Sequence, residues 1–165
     1  SVDDVLKYCR GQQHKDRTSQ EHIEKIANRV VLLLDAVLKE KSIQVSVHSE
    51  PDNNSFLTDE AAMIQVLMNI MINAVDAVGK KGRIIIDLGH RETGCLIRIS
   101  DDGPGIDESH AKEVFQSFVT FKEGGTGLGL SISKRIVESL GGKIYYEKSA
   151  LGGACFSIFL PEKTF

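Results

Sequence analysis

The chain has little cysteine, and what it has is dispersed. Cys9, Cys95 and Cys155 are its three cysteines, and no two of them form a C-x-x-C pair. This spacing is unlike that of a disulfide framework or a zinc site and is typical of reduced thiols. We therefore expect this part of the protein to lie in the cytoplasm.

Excess positive charge and long apolar runs are also lacking. The 20 Lys and Arg residues against 23 Asp and Glu give a net charge of −3 without a basic block, which argues against nucleic-acid binding. The densest apolar run, 30–38, is interrupted by Asp35, so we expect no membrane contact by this part of the chain and no signal peptide. Because the chain begins with Ser1, we expect a piece of a longer protein, whose remainder can include a membrane anchor.

Glycine, in contrast, is concentrated in one stretch. Six of the fifteen glycines lie between Asp101 and Leu130, in the motifs D-D-G-P-G-I and G-G-T-G-L-G-L. Glycine costs conformational entropy, so such a cluster indicates a backbone that turns with positive φ or approaches a ligand closely. The second motif leads into a helical pattern, and a glycine-rich loop before a helix N-terminus favours phosphate binding. The stretch therefore predicts a nucleotide site.

The apolar periodicity predicts one domain with three main helices and about five strands. The expected helices are 19–40, started by a Thr18–Glu21 capping box, then 58–78 and 127–140, with a short helix from Asp107 to Phe115. The expected strands are 43–47, 83–90, 95–101, 143–147 and 154–160. This order indicates an α+β fold, a two-layer α/β sandwich with helices on one face of a mixed sheet.

A polar stripe runs along the helix 58–78, beside its apolar face. Gln65, Asn69, Asn73 and Asp76 recur at spacings of four, four and three residues, which places them on one side of the helix. Asparagine is a poor residue for a helix interior, because its amide competes with the backbone for hydrogen bonds. We interpret the stripe as side chains directed at a ligand; the alternative is a partly exposed edge with no role.

The strand 95–101 carries a carboxylate at the end of its apolar face. Cys95, Ile97, Ile99 and Asp101 share that face. A carboxylate that continues a buried stripe needs a hydrogen-bond donor, since burying it unpaired is costly. Asp101 is therefore a candidate ligand-binding residue; the alternative is a turn-forming aspartate before D-G-P-G.

The order of these motifs resembles that of a known family. N-I-M-I-N-A-V-D-A is followed by a hairpin, then D-D-G-P-G-I, V-F-Q-S-F and G-G-T-G-L-G-L. The series resembles the N, G1, F and G2 boxes in the ATP-binding catalytic domain of bacterial sensor histidine kinases, in the superfamily of gyrase, the Hsp90 chaperones and MutL. The resemblance extends over about 18–161 and implies the Bergerat ATP-binding fold. The sequence contains neither the Rossmann nor the P-loop motif.

The resemblance implies a site for ATP and Mg²⁺, with the adenine at the first glycine motif. Asp101 would accept a hydrogen bond from the adenine amino group. Gly103 and Gly105 would let the backbone pass close to the base, and Ile106 would form a wall of the adenine pocket. Phe115 and Phe118 belong to the F box, and we expect both to pack in the protein rather than to contact the ligand.

For the phosphate end, the resemblance implies side chains from the polar stripe and amides from the second glycine motif. Asn73 would coordinate Mg²⁺, for which an amide oxygen is a suitable hard ligand. Asn69 would face the phosphates, and Lys122 would reach the γ-phosphate, so these two are the candidate catalytic residues. The phosphate cradle would consist of the amides of Gly125, Thr126, Gly127, Leu128 and Gly129.

Two features depart from the family pattern. Many members carry a basic residue where this chain has Asp76, so phosphate binding from that position is not implied here. The segment between the F and G2 boxes, 119–124, is short, as in nitrogen-regulator and sporulation-type kinases. Because so short a segment has few residues with which to enclose ATP, we expect a modest affinity.

Position 69 also bears on the reaction. Hydrolysing relatives have a glutamate general base where this chain has Asn69, and an amide cannot take a proton from water at neutral pH. Phosphoryl transfer to a delivered acceptor is therefore favoured over hydrolysis. The implied activity is that of a protein histidine kinase in two-component signal transduction.

In this interpretation the acceptor histidine lies outside the chain. None of the five histidines lies in a phosphoacceptor motif: His14, His22, His48, His90 and His110. We expect 1–17 to be the end of an upstream dimerisation and phosphoacceptor helix with its linker, and 18–165 to be the catalytic domain. The alternative for the first residues is a frayed tail.

The expected partners are the histidine phosphoacceptor domain and a response regulator downstream. Two alternatives to a histidine kinase stay open. One is a catalytically inactive ATP-binding regulatory or scaffold module, which Asp76 favours. The other is a serine-directed kinase of the same superfamily.

Overall fold

The computed structural model describes Val2 and residues 19–51, 56–116 and 129–162. The strands in these ranges are β1 Gln20–His22, β2 Gln44–Ser49, β3 Leu57–Asp59, β4 Arg83–Arg91, β5 Gly94–Asp101, β6 Lys143–Lys148 and β7 Ala154–Pro161. The helices are α1 Ile23–Leu33, α2 Asp35–Glu40, α3 Glu60–Val78, α4 Glu108–Ala111 and α5 Gly129–Ser139.

The main sheet has five strands in the order β2-β4-β5-β7-β6. Strands β2 and β4 are parallel, which requires a long crossover connection, and α3 lies in that connection. The other neighbouring pairs are antiparallel, so the sheet is mixed. The predicted α+β sandwich, with a mixed five-stranded sheet packed on three main helices, is confirmed.

A hydrophobic core lies between the sheet and helices α1, α3 and α5. Helix α3 supplies much of it, including the fully buried Met63, Leu67 and Ile70. This helix is long and apolar enough to cross a membrane by length and hydropathy alone, but 56% of that window is buried inside the protein. The hydrophobicity of α3 is therefore accounted for by its place in the core.

The start of the first helix differs from the prediction. Helix α1 begins at Ile23, because the preceding residues pair with β3 in a small antiparallel ribbon. Glu21 lies in that ribbon, where its carboxylate accepts a hydrogen bond from the His22 backbone N–H at 2.8 Å. The predicted capping box is therefore wrong, and its other member, Thr18, lies outside the described residues. Leu34 interrupts the helix and separates α1 from α2.

The other helix ends agree with the prediction in part. Thr58 lies in β3, and Asp59 caps α3 by accepting a hydrogen bond from the Ala62 N–H at 3.0 Å. Helix α4 ends at Ala111, before Phe115, and the Asp107 side chain makes no capping hydrogen bond.

Two glycines follow the ends of helices, and one alanine of α3 is exposed. Gly79 and Gly141, with φ of +67° and +80°, follow the ends of α3 at Val78 and of α5 at Ser139. The helical spacing of Met63, Leu67, Ile70 and Ala74 predicts that Ala77 also faces the core. Ala77 is exposed, because the apolar face of α3 drifts towards Val78 at 3.6 residues per turn.

Candidate nucleotide site

Asp101 lies at the end of β5, the middle strand of the sheet, and is only 3% exposed. Its Oδ1 accepts two backbone hydrogen bonds, from the N–H of Gly103 at 2.9 Å and from the N–H of Ala154 at 3.2 Å. Both donors bind the same oxygen. The second carboxylate oxygen, Oδ2, is therefore the one with which a ligand's amino group can pair.

The buried position of Asp101 changes its acidity. Burial raises the pKa of its carboxyl above the ordinary value of 3.8, and the charge of Asp102 raises it further. The backbone donors Gly103 and Ala154 act in the opposite direction, because they stabilise the charged form. Desolvation is the largest of these effects, so the carboxylate is kept in the site at a cost to folding. A perturbed group of this kind is typical of functional sites.

Glycines allow the backbone to close around Asp101. A Cβ on Gly153 would lie 2.2 Å from Asp101 Oδ1 and 2.6 Å from the Asp101 carbonyl oxygen, so no side chain fits there. A Cβ on Gly103 would lie 2.9 Å from the Ala77 carbonyl oxygen, at the end of α3. Gly105 has a φ of +74°, a conformation that favours glycine. The first glycine motif is thus packed between α3 and the turn before β7.

Tyr146 of β6 holds the backbone after this motif. Its hydroxyl accepts a hydrogen bond from the Ile106 N–H at 3.2 Å and donates one to the Ile106 carbonyl at 3.3 Å. Its ring packs on Phe156 with 5.7 Å between centroids, and Phe156 makes an edge-to-face contact with Phe115 at 6.0 Å. Phe115 therefore packs in the protein, as expected, while Ile106, the predicted adenine wall, is fixed by Tyr146.

The polar stripe of α3 meets the start of α5. The Asn69 side-chain Nδ2 donates hydrogen bonds to the Gly129 carbonyl and to the Ser133 hydroxyl, both at 3.2 Å. Ser133 is fully buried, and its hydroxyl also donates to the Gly129 carbonyl at 2.8 Å. The structure thus brings Asn69 and Gly129, predicted from separate motifs, into one hydrogen-bonded cluster.

Asn73 lies one turn further along α3, between that cluster and the Gly103 contact at Ala77. Its amide is half-buried, and none of the described residues forms a hydrogen bond with it. The described residues also contain no group of three or more His, Cys, Asp or Glu side chains suited to a metal. An accessible amide oxygen without a protein cage fits Mg²⁺, which retains waters and takes phosphate oxygens as ligands.

Several predicted site residues lie outside the described ranges. They are Lys122, Gly125, Thr126, Gly127 and Leu128, and also Phe118 and the short segment 119–124. The assignments made for them on sequence remain predictions. The structure describes the first glycine motif from Asp101 to Ile106, and of the expected phosphate end it describes α3 and Gly129.

Three residues of the site were missed by sequence reasoning. They are Gly153, Tyr146 and Ser133, none of which the sequence patterns singled out. A hydroxyl in the middle of the α5 apolar pattern was a usable signal for Ser133, because a buried hydroxyl needs a partner. No local pattern reveals that Tyr146 reaches Ile106, 40 residues away.

Comparisons with known proteins identify the family. Residues 58–164 match the family described as histidine kinase-, DNA gyrase B- and HSP90-like ATPase. The sensor protein FixL of Bradyrhizobium diazoefficiens is 31% identical over 144 residues, which are 86% of this chain and 28% of FixL. NtrB of Salmonella typhimurium, a sensory histidine kinase/phosphatase, is 34% identical over 162 residues, which are 92% of this chain and 46% of NtrB.

A solved structure shows the same architecture. The catalytic domain of the histidine kinase ThkA superposes with a TM-score of 0.80 at 29% identity, covering 87% of this chain and 94% of that domain. The chain spans less than half the length of FixL and of NtrB, so it corresponds to one part of such proteins. The family match over 58–164 and the shared architecture lead to one conclusion. The chain belongs to the family of histidine kinase-, DNA gyrase B- and HSP90-like ATPases, and its fold is that of a histidine kinase catalytic domain.

Proposed function

We propose that the chain binds ATP with Mg²⁺ and transfers the γ-phosphoryl group to a histidine on a separate or upstream helical domain. The observation that carries this proposal is Asp101, a buried carboxylate whose Oδ1 is held by two backbone donors. Oδ2 has no hydrogen-bond partner among the described residues. It suits the amino group of adenine, since a buried carboxylate needs a donor in place of the water that it has lost. Guanine has a carbonyl oxygen where adenine has its amino group, so it would place an acceptor against the carboxylate, which is also an acceptor.

The other proposed adenine contacts are made by residues at the same end of the sheet as Asp101. Gly103 and Gly105 would let the backbone pass close to the base, and Ile106, whose backbone is bonded to the Tyr146 hydroxyl, would form the wall against the ring. An apolar wall on one side and a single fixed acceptor on the other are typical of small-molecule pockets.

The phosphate chain is proposed to lie between α3 and the start of α5. Asn73 would contribute its amide oxygen to Mg²⁺, which when bound neutralises phosphate charge and orients the phosphoryl group for in-line transfer. The amides from Gly125 to Gly129 would surround the phosphates, and Lys122 would reach the γ-phosphate. The chain's own contribution to the reaction is positioning and charge stabilisation.

The residue at position 69 favours transfer over hydrolysis. A general base is needed to deprotonate water, and the Asn69 amide cannot act as one at neutral pH. In the transfer step the bond between the γ-phosphorus and the bridging oxygen breaks, and a phosphorus–nitrogen bond to the acceptor imidazole forms. ADP leaves, and the imidazole proton passes to solvent or to a neighbouring base.

The proposed partners are a helical domain that carries the acceptor histidine and a response regulator. ThkA has been solved in complex with the response regulator protein TrrA, and that structure supports a partner of this class for the present chain. We also propose that this domain works in the cytoplasm, where ATP is available.

The direct experiment supplies the chain with ATP, Mg²⁺ and a separately produced histidine helix domain from a related kinase. The proposal predicts phosphorylation of that domain on histidine, with an acid-labile and base-stable product. Binding of the non-hydrolysable analogue AMP-PNP without any transfer would contradict the kinase proposal and favour a regulatory or scaffold module. Transfer to serine, giving an acid-stable product, would favour a serine-directed kinase.

A further inference from the structure

The hydrogen bonds around Asn69 determine how its side-chain amide is oriented. A carbonyl oxygen can only accept, so the contact with Gly129 requires that the Asn69 amide nitrogen face it. The same nitrogen donates to Ser133 Oγ, and an amide nitrogen has two hydrogens. The amide nitrogen therefore faces the start of α5, and Oδ1, an acceptor, has no hydrogen-bond partner among the described residues.

Ser133 is the residue that completes this arrangement. Its hydroxyl has one hydrogen, which goes to the Gly129 carbonyl at 2.8 Å, so the oxygen must accept from Asn69. The side chain is fully buried, and its position in the second turn of α5 places it directly beneath Gly129. Without this hydroxyl, the Asn69 amide loses one of its two acceptors and can rotate about its last side-chain bond.

We infer that Ser133 is a positioning residue for nucleotide turnover: its buried hydroxyl and the Gly129 carbonyl hold the amide nitrogen of Asn69 and so fix the orientation of that amide, and they fasten the first turn of α5 to α3. This inference rests on the proposed function. It also assigns Asn69 an amide whose orientation is set within the protein before a ligand binds.

The first test compares two serine-to-alanine changes on the same helix. Ser133→Ala removes the positioning hydroxyl. Ser139→Ala removes an exposed hydroxyl that makes a similar bond to a backbone carbonyl, Ile136 O at 2.6 Å, far from the site. Two ligands are used, AMP-PNP with Mg²⁺ by calorimetry and adenosine by ligand-observed NMR, because only the first has phosphates.

We expect Ser133→Ala to weaken AMP-PNP·Mg²⁺ binding about fivefold, the change that corresponds to one neutral hydrogen bond. Adenosine binding should stay unchanged, and Ser139→Ala should change neither. An equal loss for both ligands would show that Ser133 acts only through general stability and would overturn the inference. Unchanged AMP-PNP·Mg²⁺ binding would overturn it as well.

A second variant tests the route through Asn69. The double variant Ser133→Ala/Asn69→Ala is compared with Asn69→Ala. Its AMP-PNP·Mg²⁺ affinity should differ less than twofold from that of Asn69→Ala, because the side chain that Ser133 positions is absent from both. Additive losses would overturn the inference. If Ser133→Ala does not fold, the single variant Asn69→Ala is measured instead. Unchanged AMP-PNP·Mg²⁺ binding in Asn69→Ala would overturn the inference, because the side chain that Ser133 positions would then not contribute to binding.

The outcomes for this inference and for the proposed function are distinguishable. Wild-type protein that fails to bind AMP-PNP·Mg²⁺ at millimolar concentration contradicts both. Wild-type protein that binds it, with Ser133→Ala binding equally well, contradicts the role of Ser133 alone.

Discussion

The two ends of the proposed site are held by different kinds of group, backbone at one end and side chains at the other. At the adenine end, backbone groups hold Asp101, and Gly153 lies where no side chain fits. At the phosphate end, the described contacts are made by side chains on two helices, Asn69 and Ser133, with Asn73 free of described partners. Backbone geometry tolerates little change, whereas side-chain contacts can be removed singly. We therefore expect abrupt losses at the adenine end and graded, ligand-specific losses at the phosphate end.

The largest effect is expected for Gly153→Ala. The added Cβ would lie 2.2 Å from Asp101 Oδ1, so the carboxylate or the β7 turn must move. We expect a loss of stability of about 1–3 kcal/mol, as for other overpacked sites, measured by chemical denaturation. Calorimetry should show AMP-PNP binding weakened by at least about tenfold, because a displaced hydrogen bond to a charged group is worth about 1.5–3 kcal/mol.

Gly152→Ala is the control for that change. Gly152 has a φ of +102°, but an added Cβ would meet no atom within 4 Å. This variant carries backbone strain without the collision with Asp101, so it should lose stability and retain nucleotide binding. Equal losses of binding in the two variants would contradict the account of the adenine end.

Asn73→Ala should show the specificity expected of the phosphate end. The half-buried Asn73 amide has no partner among the described residues, so its removal should leave the unfolding midpoint nearly unchanged. AMP-PNP binding with Mg²⁺ should weaken about tenfold, the low end of the losses seen when groups around a metal are removed. Binding in EDTA should not change. A loss of the same size with and without Mg²⁺ would exclude Asn73 as a metal ligand.

Tyr146→Phe tests whether a side chain also contributes at the adenine end. It removes the hydroxyl that bonds both backbone groups of Ile106 and retains the ring contact with Phe156. We expect adenosine and AMP-PNP to bind about fivefold more weakly, from the loss of hydrogen bonds worth about 1 kcal/mol. The neighbouring Tyr145, which is 37% exposed, provides the matched control, and Tyr145→Phe should bind both ligands as wild type does.

The smallest effect concerns pH. Burial raises the pKa of Asp101 above 3.8, so between that value and the folded pKa the native state binds the proton more tightly than the unfolded chain. Stability contributed by this group therefore falls as pH rises through that window and stays low above it. Relative to Asp101→Asn, the wild-type free energy of unfolding should decrease with rising pH in denaturation series. A relative increase would contradict the assignment of desolvation as the main cause.

The periodicity of apolar residues predicted those helices and strands that are long enough to contain a repeating pattern. The alternation in β5 singled out Asp101, and the spacing in α3 singled out Asn69 and Asn73. The ribbon of β1 and β3 was missed because strands of three residues are too short to alternate detectably. Its residues were read as the beginning of a helix instead.

The contacts that complete the site join positions far apart in the chain. Ala154 donates to Asp101 across 53 residues, and Asn69 donates to Ser133 across 64. Periodicity within one element carries no information about such pairs. The sequence could therefore indicate which residues bear the chemistry, but the groups that orient them became visible only when the elements were packed together.

The most direct test of this account is the binding of AMP-PNP with Mg²⁺ to wild-type protein and to Asp101→Asn, together with their unfolding midpoints at pH 7. The asparagine retains an oxygen for Gly103 and Ala154, but it replaces the charged acceptor offered to adenine. The account predicts that Asp101→Asn is at least as stable as wild type and binds AMP-PNP at least about tenfold more weakly. Equal affinity in the two proteins would contradict the assignment of Asp101 as the adenine acceptor.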